Sequence, residues 1–197
     1  MSKDATSGNG IDSKARAKSR PSFFSDKRGS TAMEFAMLAI PFALLVFAIL
    51  ESCVSFAGQE VMANATDDIA RQLRTGQLQR TNVTQASITQ LICSRMQMMV
   101  AQNCPGLVVD LREYATFSDA ATAGFKIVNG DIVLTQGTNS MTFTVAPGLA
   151  ESINMLRVFY KWPVMTDFLA KSMANLNDGK TLHFASVTWQ NEPFDDN

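Results

Sequence analysis

From Phe35 to Leu50 the chain holds no charge and no strongly polar side chain. Extending this run through Glu51, Ser52 and Ser55 to Ala57 gives 23 residues. About 20 apolar residues suffice for a helix to cross a bilayer, so the length predicts a transmembrane segment. One acid, Glu34, stands just inside its start, after the basic pair Lys27 and Arg28. An isolated carboxylate at membrane depth is costly and calls for a partner. Pro41 falls within the run, and neighbouring helices or local adjustments can re-satisfy the backbone group it frees. A kink is expected there.

The charge distribution gives the segment a direction. Net charge is -1 overall. Residues 1–29 carry seven Lys/Arg against three Asp/Glu, which leaves the remainder near -5. A basic leader is retained on the cytoplasmic side, anchored by Lys27 and Arg28, while an acidic domain crosses. Nucleic-acid binding would place the basic residues on the folded domain instead. The expected organisation is a leader over 1–29, a membrane helix over 30–57 and a periplasmic or extracellular domain over 58–197.

Three kinds of processing could use such a segment. Ser55-Phe56-Ala57 has the small-x-small form of a secretory cleavage site. Leu50-Glu51-Ser52-Cys53 has the outline of a lipoprotein signal, with Glu51 a poor fit. In the third, the basic leader ends in Gly29, four residues follow, and Glu34 precedes the apolar helix. This arrangement resembles the type IV prepilin signal. The resemblance implies cleavage between Gly29 and Ser30 by a prepilin peptidase, with the helix kept. The new Ser30 ammonium and Glu34 could then neutralise one another between neighbouring subunits, where a low dielectric strengthens the attraction. The plainer alternative leaves Glu34 at the aqueous interface.

Arg28-Gly29-x-x-Ala32-Met33-Glu34-Phe35-Ala36 with Pro41 resembles the TadE-like minor pilins, or pseudopilins, of the tight-adherence (Tad/Flp) pilus system. Ile69 to Gln77, Leu91 to Phe117, Leu156 to Met165 and Asn191 to Phe194 are similar to segments of the same family. The resemblance implies a protein of the inner membrane that supports pilus assembly, adhesion and biofilm formation. The implied partners are a prepilin peptidase, the major pilin, other minor pilins, the inner-membrane assembly platform and membrane lipid. A permanently anchored, unprocessed periplasmic binding or scaffold protein is the alternative.

Beyond the membrane, Val61, Met62, Ala65, Ile69 and Leu73 recur at helical spacing, so the helix is expected to continue to Gly76. Asp67 and Arg71 are placed as an i,i+4 ion pair. A second helix is expected from Thr81 or Asn82, with Val83, Ile88, Leu91, Ile92, Met96, Met99 and Val100 on its apolar face. Cys93 and Cys104 would lie about 16 Å apart in one straight helix, beyond disulfide reach. Pro105 and Gly106 force the helix to end, and an end near Met99 or Val100 lets the chain fold back. A disulfide is then expected, with two buried thiols as the alternative.

Strand signals follow at Leu107 to Tyr114, on both sides of Asn129-Gly130, at Met141 to Val145, at Ile153 to Trp162 and at Thr181 to Gln190. A short helix fits Pro163 to Met173. These elements predict an α+β domain with helices on a small antiparallel sheet.

Catalytic signals are sparse. His183 is the only histidine and lies in a strand-like stretch, as a core histidine would. Asp67-Asp68 reads as a solvated helix face, Met96, Met98 and Met99 as core filler, and Asp195-Asp196 as a solvated tail. No metal spacing, phosphate loop or dinucleotide fingerprint is found. No enzyme activity, metal or cofactor is expected.

Overall fold

A computed structural model describes residues 30–166, 170, 171 and 173–194. Lys27, Arg28, Gly29 and the rest of the leader lie outside the described residues, as do Asp195, Asp196 and part of the expected helix after Pro163. The chain divides into two units, one ending at Ala43 and one beginning at Leu44. A single helix, α1 (Ser30–Arg74), bridges that division and includes Pro41 without interruption.

The second unit is α+β. Helix α2 (Gln85–Met96) follows α1. It begins later than Thr81 or Asn82 because Arg80–Asn82 forms one turn of 3-10 helix. Thr84 then closes a capping box: its Oγ1 accepts from Ser87 N at 3.1 Å, and Ser87 Oγ accepts from Thr84 N at 2.8 Å. Two helix-end donors are thereby satisfied at once.

The strands are β1 (Leu107–Tyr114), β2 (Ala123–Val128), β3 (Asp131–Gln136), β4 (Asn139–Met141), β5 (Val145–Ala146), β6 (Ile153–Pro163) and β7 (Lys180–Gln190). They form two sheets, of order β5-β1-β6-β7 and β2-β3-β4. Asn129 and Gly130, with φ of 52° and 76°, turn β2 into β3. Positive φ at both central residues is what a tight type I′ hairpin requires, and Asn-Gly meets it at least cost. A short helix not foreseen in the sequence, α3 (Phe117–Ala121), is capped by Thr116, whose side chain accepts from Asp119 N at 3.0 Å.

The expected strand from Met141 to Val145 is divided. Met141 closes β4, Val145 opens β5, and residues 142–144 cross between sheets. Polar tethers hold that crossing: Arg112 donates to the Thr142 carbonyl, and Thr144 N donates to Asp110 Oδ1 at 3.0 Å. β5 pairs with β1 in parallel, contrary to the all-antiparallel expectation, while β1–β6 and β6–β7 are antiparallel.

The core lies between the helices and one face of the four-stranded sheet. Met62 and Ile69 of α1, Ile88 and Ile92 of α2, Leu111 of β1 and Leu156 and Val158 of β6 are all sealed from solvent. Each such side chain contributes about 1.5–3 kcal/mol on burial. Phe125, Phe143, Phe159 and Phe184 meet on the opposite face, with ring centroids 4.6–5.7 Å apart. A disulfide joins Cys93 of α2 to Cys104, just before β1, with Cα atoms 5.7 Å apart. Helix α2 ends at Met96, which leaves seven intervening residues to turn back.

Asp68, and not Asp67, takes Arg71 as its partner, at 2.8 Å and three residues apart. Arg95 of α2 contacts the same carboxylate. The Arg71 hydrogen bond is the leading cause that holds the Asp68 carboxyl below its usual range.

Candidate functional site

The sequence points to the apolar half of α1 and to the place where the domain begins to cover it. Every described side chain from Thr31 to Leu50 is exposed, apart from half-buried Ala39 and Ala48. Phe35, Leu38, Phe42, Leu45, Phe47 and Leu50 are each more than half exposed. These twenty residues span about 30 Å at helical rise, the thickness of a hydrocarbon core. Glu34 is exposed on this helix and is the single charged side chain from Ser30 to Leu50. By length and composition, α1 can cross a membrane.

The environment changes at Glu51, which is 6% exposed. Its carboxylate accepts from the backbone N–H of Met165, from Thr166 N at 3.3 Å and from Thr166 Oγ1 at 2.6 Å. Hydrogen bonds to a carboxylate are roughly twice as strong as neutral ones. They compensate here for taking the group out of water. Ala170 N also donates to Thr166 O at 2.9 Å, so Glu51 holds the segment that leads into the helical residues Ala170, Lys171 and Met173.

One turn on, Ser55 Oγ lies 3.0 Å from His183 Nε2. The imidazole stacks on Trp162 at 4.8 Å, with ring planes 17° apart. Burial pushes the His183 pKa down to about 4. Its Nδ1 is buried and has no partner among the described residues. The next turn brings Gly58 against Trp162, where a Cβ would fall 2.3 Å from the indole Cζ3. Only glycine admits that approach. Gln59 Nε2 then donates to Phe184 O at 2.7 Å.

Thus Ser55, Gly58 and Gln59 fasten α1 to β6 and β7, and Glu51 fastens it to the segment just after β6, by polar and close contacts. The outer face differs: Cys53, Val54, Phe56 and Ala57 remain exposed, and Cys53 is a free thiol. The apolar character of the membrane run therefore continues for two turns on the face away from the domain.

A second polar constellation lies within the strands. Asp110 of β1 is fully buried and receives Arg157 Nη2 at 2.7 Å and Arg112 Nε at 2.9 Å. Arg157 also donates to Gly124 O at 3.1 Å. This network joins the two sheets. The alternating pattern of "LVVDLREY" conceals it, since Asp110 is 47 residues from its main partner. No group of three potential metal ligands occurs among the described residues.

Of the residues singled out in the sequence, Ser30, Glu34 and Pro41 share α1, and Cys93 and Cys104 are bonded to each other. Glu51 and Ser55 were read there as parts of the apolar run. A buried partner more than a hundred residues away leaves no local signal.

Residues 29–71 match the family model described as TadE-like protein. No curated protein and no solved structure matches the chain. The matched segment contains Glu34, Pro41, the membrane-length run and the stretch of α1 that enters the domain core.

Proposed function

We propose, starting from this TadE-like segment, that the protein is a minor pilin or pseudopilin of a tight-adherence pilus. The observation that carries the proposal is the lone acid Glu34, five residues after Gly29, heading an exposed apolar helix inside the matched region. A prepilin peptidase cuts between Gly29 and Ser30 on the cytoplasmic face. Lys27 and Arg28 hold the leader there until cleavage, and the domain stands on the periplasmic side of the inner membrane. The freed Ser30 ammonium supplies the countercharge for Glu34 of a neighbouring helix, at a depth where a charge alone is expensive. Pro41 bends the packed helices. The mature chain meets lipid, the major pilin, other minor pilins and the assembly platform, and it supports adhesion and biofilm formation. Its role is structural and not enzymatic.

Retention of the helix has physical support. A cut after Ala57 would sever α1 between Ser55, bonded to His183, and Gly58, seated on Trp162. It would also remove Glu51 from Thr166. The domain depends on the stretch that a secretory signal would discard.

The test is the intact mass and N-terminal sequence of the protein extracted from native membranes. A chain beginning at Ser30 is expected, and cells lacking the peptidase should retain the leader. A full-length leader in cells that build working pili overturns the proposal in favour of a permanent anchor.

A further inference from the structure

Glu51 is the first residue past the exposed run from Thr31 to Leu50, and its carboxylate holds Met165 N, Thr166 N and Thr166 Oγ1. Side chains on a helix lean toward its N-terminus, which for α1 is the membrane side. The carboxylate, and Met165 bonded to it, therefore lie nearer the membrane than the Glu51 Cα. Ser52 Oγ lies 4.0 Å from Met173 Sδ, so a second point of the same segment meets the same turn of α1. Thr181 Oγ1 donates to Met173 O at 2.8 Å, which ties this second point to β7 as well. The segment is fastened on both sides, yet Met165 remains 69% exposed. Val164 and Met173 are half-buried.

The outer face of α1 sets the depth of these residues. Cys53, Val54, Phe56 and Ala57 are exposed there, so the apolar surface of the helix runs from Thr31 to Ala57. Those 27 residues span about 40 Å at helical rise, the thickness of a bilayer with its headgroup regions. Phe56 stands five residues, about 7.5 Å, farther along the axis than Glu51. A membrane helix tilts by about 20° on average, which across a diameter of about 10 Å shifts depth by about 4 Å. That tilt is too small to lift Met165 out of a membrane that covers Phe56.

We infer that the segment just after β6 is a membrane foot, whose Met165 side chain enters the acyl boundary of the lipid leaflet at the Leu50 end of the run. The domain is thereby seated on the bilayer and does not stand off from it on a free stalk. A flexible, unbranched thioether suits an irregular lipid boundary. The same contact gives the Glu51 bonds a purpose: a carboxylate at this depth is costly without partners, and the foot that meets lipid supplies them.

The experiment uses the purified full chain with Cys53→Ser, so that a single introduced thiol takes an environment-sensitive fluorophore. The label is placed at Met165→Cys, at Leu45→Cys within the run, or at Leu149→Cys. Leu149 is exposed, and its carbonyl accepts from Asn191 Nδ2, next to Glu192, whose N–H donates to Arg74 O at the far end of α1. In vesicles of phosphatidylcholine and phosphatidylglycerol, nitroxide-bearing lipids should quench most of the emission at positions 45 and 165 and leave position 149 bright. Quenching at 45 without quenching at 165 overturns the inference and leaves the membrane helix standing. Absence of quenching at both overturns the membrane helix as well, and equal quenching at 149 and 165 overturns any specific seat. Shielding of position 165 in native membranes but not in these vesicles would assign it to a protein partner and overturn the lipid contact. Seating requires that α1 cross the membrane and not that Gly29 be cleaved, so failure here is distinct from failure of the pilin proposal.

Discussion

From Thr31 to Leu50, α1 turns apolar side chains in every direction, whereas from Glu51 to Arg74 it turns a single stripe inward. That stripe is Glu51, Ser55, Gly58, Met62, Ala65, Thr66, Ile69, Ala70 and Leu73, spaced by three and four residues as a core-facing helix requires. The first region satisfies its backbone internally and leaves its side chains for lipid or other helices. The second admits polar side chains because the folded domain supplies partners for them, His183 for Ser55 and Thr166 for Glu51. Thr66 bonds its own helix, with Oγ1 donating to Met62 O at 2.8 Å. Helix propensity is common to both regions. What differs is the medium that each one fits.

If the two regions are independent in this way, damage to the domain should leave membrane insertion untouched. Asp110→Ala removes the carboxylate that two arginines share, and Arg157→Ala leaves that fully buried carboxylate with Arg112 and Thr144 N alone. Breaking a buried pair costs about 3–5 kcal/mol, a large part of the about 5–15 kcal/mol that stabilises a typical domain. Circular dichroism should show the domain unfolded or nearly so, while the protein still resists carbonate extraction from membranes. Loss of insertion in these variants would break the comparison.

Replacing Cys93 and Cys104 together by serine should lower stability by about 3 kcal/mol, the amount expected for a loop of this length. Urea denaturation measures it, and reduction of the wild type should reproduce it.

Acid should act on the clothed half alone. The His183 pKa is about 4 when folded and about 6.5 in an unfolded chain. Between these values the unfolded state binds more protons, so stability rises with pH across that window. It is fully present above about pH 6.5, declines as pH falls toward 4 and levels off below. His183→Gln should flatten this part of the melting-temperature profile. A profile that keeps its slope in the variant would assign the acid sensitivity elsewhere.

Thr84→Ala removes the cap of α2 and should cost about 1 kcal/mol by urea denaturation. Glu34→Ala should leave both domain melting and insertion unchanged while pilus assembly is lost. It is the smallest effect on stability and the sharpest test of the bare half.

The α+β class, the membrane-length run, β1, β6, β7 and the Asn129-Gly130 hairpin were legible because each depends on local pattern. The start of α2 was misplaced because Arg80 to Thr84 offers several capping residues, and Ser87 selects Thr84 by returning its bond. Asp68 displaced Asp67 because α2 brings Arg95 to that side of α1. The partition of residues 141–145 depended on Arg112 and Asp110, some thirty residues upstream. At the candidate site, Glu34 and its spacing from Gly29 could be read directly. The role of Glu51 could not, since Thr166 lies 115 residues away.

The contribution of α1 to the core sets an order of events in folding. The strands have no surface to close on without the far half of this helix, so the globular part matures only together with its own stalk. Anyone preparing a soluble fragment should accordingly begin upstream of Glu51, because a shorter piece would leave the sheet without its backing.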